Sequence, residues 1–192
     1  MIRKSYLLIC ALFVLVGLDA GAQNIGIKSN LPYWALGGTM NASVEWALTR
    51  RLTLDVGGGY NPWRPGETRR LKHWLVQPEL RIWRCESFNG HFVGLHATVA
   101  EYNLSEMPFG IGHLKSLRHN RYQGHAYGGG VSYGYQWWLG RSWNLEMSLG
   151  GGYMRLKHDK YPCGKCAKSL GSEQRDYFGI TRATVSIIYF IN

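Results

Sequence analysis

Beyond residue 22 the chain contains no run approaching the ~20 consecutive apolar residues that a membrane-crossing helix requires. If the exported chain enters a bilayer, it must do so with strands. It also lacks a linker, a low-complexity tract or a block of like charge that would divide it, so about 170 residues read as one domain. Cysteine is sparse, at 4 residues, and no spacing supplies the four ligands of a structural zinc site. Acidic residues are the minority, 12 against 22 Lys and Arg, which leaves a formal net charge of +10. What is abundant is equally specific: 25 Gly, 12 Tyr and 8 Trp suit strands in which small residues line a narrow interior and aromatics sit at head-group level.

The N-terminus reads as an export signal. Arg3 and Lys4 form a positive start, Tyr6 to Leu18 an apolar stretch too short to span a bilayer comfortably, and Ala20-Gly21-Ala22 a cleavage site. Asp19 and Gly21 close the apolar run too early for an anchor helix, and Cys10 lies inside the run, whereas a lipidated cysteine would end it. The expected division is residues 1–22 as a cleaved signal peptide and 23–192 as the folded domain.

From there the chain alternates. Leu52, Leu54, Val56, Gly58 and Tyr60 share one face of an extended segment, while Thr53, Asp55, Gly57, Gly59 and Asn61 share the other, and the pattern returns at 127–136 and 144–153. Eight such segments are expected, near 24–34, 40–48, 52–62, 73–83, 91–102, 125–138, 143–156 and 177–191. Short connections at Thr49 to Arg51, Arg84 to Gly90 and Leu139 to Ser142 read as periplasmic turns. Trp63 to Lys72, Asn103 to Gly124 and Lys157 to Asp176 read as external loops, and only Ala35 to Thr39 is short where a long loop is expected. The predicted fold is all-β, an eight-stranded antiparallel up-and-down transmembrane β-barrel with both termini on the periplasmic side.

Turning the apolar register outward sends Lys28, Glu45, Asp55, Glu79, Arg81, Glu146 and Arg182 inward, so that four carboxylates meet three cations. An eight-stranded barrel is just wide enough for side chains to fill it, and buried charge is tolerated only when paired. A plugged lumen held by ion pairs is expected, not an open pore. A soluble lipocalin-like barrel would reverse the polarity; here the outward set includes Val44, Trp46, Leu54, Val76, Leu95 and Leu149. The last strand, with Val185, Ile187, Tyr189 and Ile191 on one face, is similar to the aromatic-rich C-terminal strand read by barrel assembly machinery, although Phe190 is followed by Ile191 and Asn192.

Several stretches carry a family resemblance. Lys28-Ser29-Asn30-Leu31, Gly59-Tyr60-Asn61-Pro62-Trp63, Lys72 through Glu79, Phe88 through His96, Val131 through Trp137, and Cys163-Gly164-Lys165-Cys166 followed by Tyr177-Phe178-Gly179 resemble a domain-of-unknown-function family of outer-membrane-type barrels from Bacteroidales-like Gram-negative anaerobes. The resemblance spans the mature chain and implies location and fold. It brings no activity and no catalytic residue.

The remaining chemistry is modest. Cys163 and Cys166 stand in an expected external loop and read as a loop disulfide, with Cys85 alone at the opposite rim. His96 with Ser132 or Ser148 and Glu146 would make a hydrolytic constellation on facing inner walls if they met, but no spacing demands it, and a histidine satisfied by a carboxylate is the simpler expectation. Arg64, Arg69, Arg70, Lys115, Arg118, Arg121, Lys157 and Lys160 surround the external rim and match the phosphates of lipopolysaccharide. These features predict an outer-membrane protein with no cofactor, no metal and no catalytic residue, in a structural, adhesion or envelope-interaction role. The expected partners are outer-membrane lipid and lipopolysaccharide, the barrel assembly machinery during biogenesis and an extracellular or envelope protein, but not nucleic acid. A lipid- or lipopolysaccharide-modifying enzyme and a small pore or lumenal ligand carrier are the competing readings.

Overall fold

Alternation becomes architecture in the computed structural model, which describes residues 25–35, 37–63, 70–105, 120–162 and 171–191. Eight strands follow one another as an antiparallel meander: β1 (Ile25–Asn30), β2 (Met40–Thr49), β3 (Leu52–Asn61), β4 (Arg70–Trp83), β5 (Gly90–Ser105), β6 (Asn120–Trp138), β7 (Trp143–Pro162) and β8 (Gly171–Ile191). Each pairs with its sequence neighbour, and β1 pairs with β8 from Ile25 opposite Ile191 to Asn30 opposite Ser186, so the sheet closes on itself over that stretch, beyond which β8 runs on past the end of β1. The all-β, eight-stranded, up-and-down arrangement expected from the sequence is the one adopted. The signal segment 1–22 lies outside the described residues.

The strands are not of equal length, and here the sequence reading needs correction. Segments 157–162 and 171–176, expected as loop, continue β7 and β8, and residues 103–105 and 120–124 likewise extend β5 and β6. Polar residues hid the extension: Lys157, His158, Asp159 and Lys160 read as loop by composition, but their backbones pair with Gln174, Glu173, Ser172 and Gly171. β4 similarly begins at Arg70 instead of His73. The first strand is shorter than expected, because after Asn30 the chain makes one helical turn, α1 (Leu31–Ala35). Pro32 in that first turn has no N–H to lose there and its fixed φ suits the helix.

At the end where β1 begins at Ile25 and β8 stops at Ile191, the termini end, the connections are tight. Arg50 and Arg51 join β2 to β3, and Leu139–Ser142 join β6 to β7, with the Leu139 amide donating to the Trp143 carbonyl at 3.0 Å. The 84–89 turn places Phe88 at φ 66°, and its side chain folds into the barrel mouth. The left-handed backbone of a bulky residue is costly; burial of the ring against Trp83 and Phe190 offsets it, with ring centroids at 6.1 and 5.0 Å.

The interior is stratified. Trp83, Phe88, Phe92, Ile188 and Phe190 form an apolar layer closing the termini end, and above it lies a layer made almost wholly of charge.

Candidate functional site

Arg81 is the centre of the charged layer, fully buried on β4, an inward position next to Glu79 in the alternation. A guanidinium has five N–H groups in a planar fork, and each is used. Nε donates to Glu79 Oε2 at 2.6 Å, Nη1 to Glu45 Oε2 at 3.1 Å and Glu146 Oε2 at 2.8 Å, and Nη2 to Asp55 Oδ2 at 3.1 Å and Glu146 Oε1 at 2.9 Å. The bidentate pair with Glu146 crosses the lumen from β4 to β7. Beneath the guanidinium lies the Phe92 ring, 4.4 Å from Cζ to centroid, where the aromatic layer begins.

Two further cations complete the layer. Lys28 Nζ pairs with Glu45 and sits 2.7 Å from Glu146 Oε2 and 3.9 Å from Asp55 Oδ1. Arg182 Nη2 reaches Asp55 Oδ2 at 2.8 Å and Glu79 Oε2 at 3.2 Å, while its Nη1 donates to Gln77 Oε1 at 2.6 Å. All seven charged residues that the sequence turned inward therefore meet in one network tying β1, β2, β3, β4, β7 and β8 together. Above it, toward the far end, Lys28, Tyr33, Asn41, Gln77 and Arg182 line a cleft of about 390 Å³, open solvent included.

The network depends on neutral residues to which the sequence reading gave no part in it, Ser132 having been considered only beside His96. Thr53 donates to Glu45 and accepts from the Trp83 indole, which stitches the charged layer to the aromatic one. Ser132 donates to Glu79. Gly94, paired with both Arg81 and Ser132, leaves space that a side chain would take: an added Cβ would lie 2.5 Å from Glu79 Oε1 and 2.6 Å from Ser132 Oγ. The signal for these positions is register. Each occupies an inward place in an alternating strand, but recognising its partner requires the strand pairing.

The hydrolytic constellation is not assembled. His96 Nε2 meets the Thr181 hydroxyl at 2.8 Å, Ser148 bonds Thr184 at 2.6 Å and Glu146 is spent on Arg81 and Lys28. His96 thus takes a hydroxyl partner where a carboxylate was expected. Thr181 reaches it because a bulge in β8, opposite Gly150 and Gly151, inserts one residue there.

Among the rim cations, Arg64, Arg69, Lys115 and Arg118 lie outside the described residues, as do Cys163 and Cys166. Arg70, Arg121, Lys157 and Lys160 stand on strands, not loops. Cys85 is exposed in the 84–89 turn with a free thiol.

The outward wall has its own order. One ring of aromatics, including Trp137, Trp143 and Tyr189, girds the termini end, and a second, including Tyr60, Trp74, Tyr127, Tyr153 and Phe178, lies toward the far end. Between them the outward positions are residues such as Val76, Leu80, Val93, Leu95, Val131, Met147, Leu149 and Ile187, all exposed, and no Asp, Glu, Lys or Arg falls among them on the described strands.

A comparison with curated proteins finds no match. A family model described as "Protein of unknown function (DUF3575)" matches residues 7–191, and the chain belongs to that family.

Proposed function

We propose that this chain is an integral outer-membrane β-barrel, exported by a cleavable signal peptide, with a structural, adhesion or envelope-interaction role played by its far end. The observation that carries this reading is the uncharged apolar wall between two aromatic rings around a charged lumen. Trp143 and Tyr153 on β7, and Trp137 and Tyr127 on β6, are each ten residues apart on the same face. Ten steps of ~3.3 Å along a strand tilted by ~40° rise about 25 Å, the height of the apolar band of such barrels. Exposed apolar surface of this extent is unfavourable in water and is what lipid requires. A filled lumen supports a closed barrel over a pore, and the dispersal of His96, Ser132 and Ser148 among separate partners favours a non-catalytic role.

On this reading the termini face the periplasm, and β6 to β8 project beyond the outer aromatic ring as a ribbon into the exterior. The protein should fractionate with the outer membrane and migrate faster on gels before boiling than after, since a closed barrel resists detergent until heated. Recovery of the processed chain in the soluble periplasm would overturn the proposal.

A further inference from the structure

The outward wall of β6, β7 and β8 has a gap that barrel packing does not require. Inward-facing Gly128, Gly130 and Gly152 are enforced, because a Cβ on any of them would collide with a backbone carbonyl oxygen across the ladder. Gly151 faces outward, and a Cβ there would meet only the Gly179 carbonyl oxygen, at an ordinary 3.6 Å. A side chain would fit at this position. Its absence leaves a notch between Val131 and Ile180, with Tyr153 and Phe178 forming the next row toward the far end. Phe178 is 86% exposed and Ile180 62%, so the notch has apolar walls and nothing of the barrel in it.

The two rows beyond carry cations. Arg155 follows Tyr153 on the same face, and Lys157 stands beside His125 in the row after it. The carboxylates nearby are committed or displaced: Asp176 accepts from Tyr153 at 2.5 Å and from Arg155 at 3.1 Å, Glu101 accepts from the Trp74 indole at 3.0 Å, and Asp159 stands one row further out. Arg155, bonded to Asp176 through Nε, and Lys157 place donors and positive charge beyond the Tyr153 and Phe178 row that borders the apolar notch, at the level where the acyl region gives way to head groups, an arrangement complementary to an acylated, phosphorylated lipid.

We propose that this wall docks one phosphorylated saccharolipid of the lipopolysaccharide type. An acyl chain fills the notch at Gly151 against Phe178 and Ile180, and a sugar phosphate is held by Arg155 and Lys157. This rests on the outer-membrane reading.

The test uses the full mature chain folded into micelles doped with purified bisphosphorylated lipid A or, separately, with phosphatidylcholine, with lipid retained per chain read by native mass spectrometry. The wild type should retain lipid A about tenfold better than phosphatidylcholine, the equivalent of one charged hydrogen bond. Arg155→Gln with Lys157→Gln should abolish that preference. Gly151→Leu should lower retention of both lipids, and Arg141→Gln, at the opposite end, should change neither. Equal retention of the two lipids by the wild type, or equal loss in the Arg141 variant, would overturn the docking site. Closure of every variant is checked by its heat-dependent gel shift. A chain that closes and inserts but shows no preference refutes the docking site alone, whereas one that will not enter lipid refutes the outer-membrane reading with it.

Discussion

The two layers of the lumen fill the same cross-section by opposite means. At the termini end, four aromatic rings pack together with Ile188, and the Trp83 and Phe92 centroids lie 4.8 Å apart. In the middle, seven charges take their place. The aromatic layer gains stability in proportion to the area it removes from water and tolerates shape-conserving exchange. The charged layer must recover a large desolvation cost through its pairing, so it contributes little net stability when intact and costs much when broken. What it contributes is register: Arg81 satisfies four carboxylates on four strands only if those strands are aligned as they are, and a slip by one residue would turn each charge outward.

The charged layer is the more sensitive of the two to substitution. Arg81→Ala leaves Glu45, Asp55, Glu79 and Glu146 facing one another with only Lys28 and Arg182 to balance them, and should cost at least ~3 to 5 kcal/mol or prevent closure. Arg50→Ala removes an exposed pair with Glu86 and should cost under ~1 kcal/mol. Urea titration of the two in the same vesicles measures the difference, and equal midpoints would mean that the charged layer is not what fixes the barrel. On the aromatic side, Phe92→Ala opens a cavity under Arg81 and should cost ~3 to 5 kcal/mol, while Phe92→Leu, which keeps most of the volume, should recover over half of that. Such recovery sharpens the contrast, since no neutral replacement should rescue Arg81. Where the layers meet, Gly94→Ala pushes a methyl against the Glu79 and Ser132 pair and should cost ~1 to 3 kcal/mol by overpacking, measured by the same titration.

The smallest effect lies outside the lumen. Hydrogen bonds from Tyr153 and then Arg155 hold the Asp176 carboxyl below its ordinary value of 3.8. A depressed folded-state value means the ribbon contact is fully present above pH 3.8 and is lost as pH falls through the lowered value. The Asp176 side-chain carbon resonance should therefore titrate below the ordinary aspartate range, and Tyr153→Phe should move it back toward 3.8. A resonance unmoved by that substitution would remove the contact from the account.

How much of this was legible in the sequence follows from what each feature depends on. Alternation is local, so the inward turn of Asp55, Glu79 and Arg81 could be read from single strands, as could the tight connections at Arg50 and Leu139. Partnership is not local. That Thr53 joins Glu45 to Trp83, that Gly94 makes room for Glu79, and that Thr181 reaches His96 through a bulge all depend on register between strands, which no single segment carries. The extension of β7 and β8 to 162 and 171 was missed for a related reason: beyond the aromatic ring both faces are polar or exposed, the period-2 contrast fades, and ladder pairing alone maintains the strand. Phe88 could not be placed from sequence because its inward turn comes from backbone at φ 66° and not from alternation.

The claim most exposed to test is that the apolar wall faces lipid. Leu95, in the middle of that wall and 65% exposed, separates the alternatives, because its cross-strand neighbours Leu80 and Val131 are exposed as well. The measurement is the folding free energy of Leu95→Arg against wild type in phospholipid vesicles. In a bilayer, arginine at mid-depth should cost ~2 to 4 kcal/mol. In water, the same substitution at an exposed site should change stability by no more than ~0.5 kcal/mol, and that result would contradict the account.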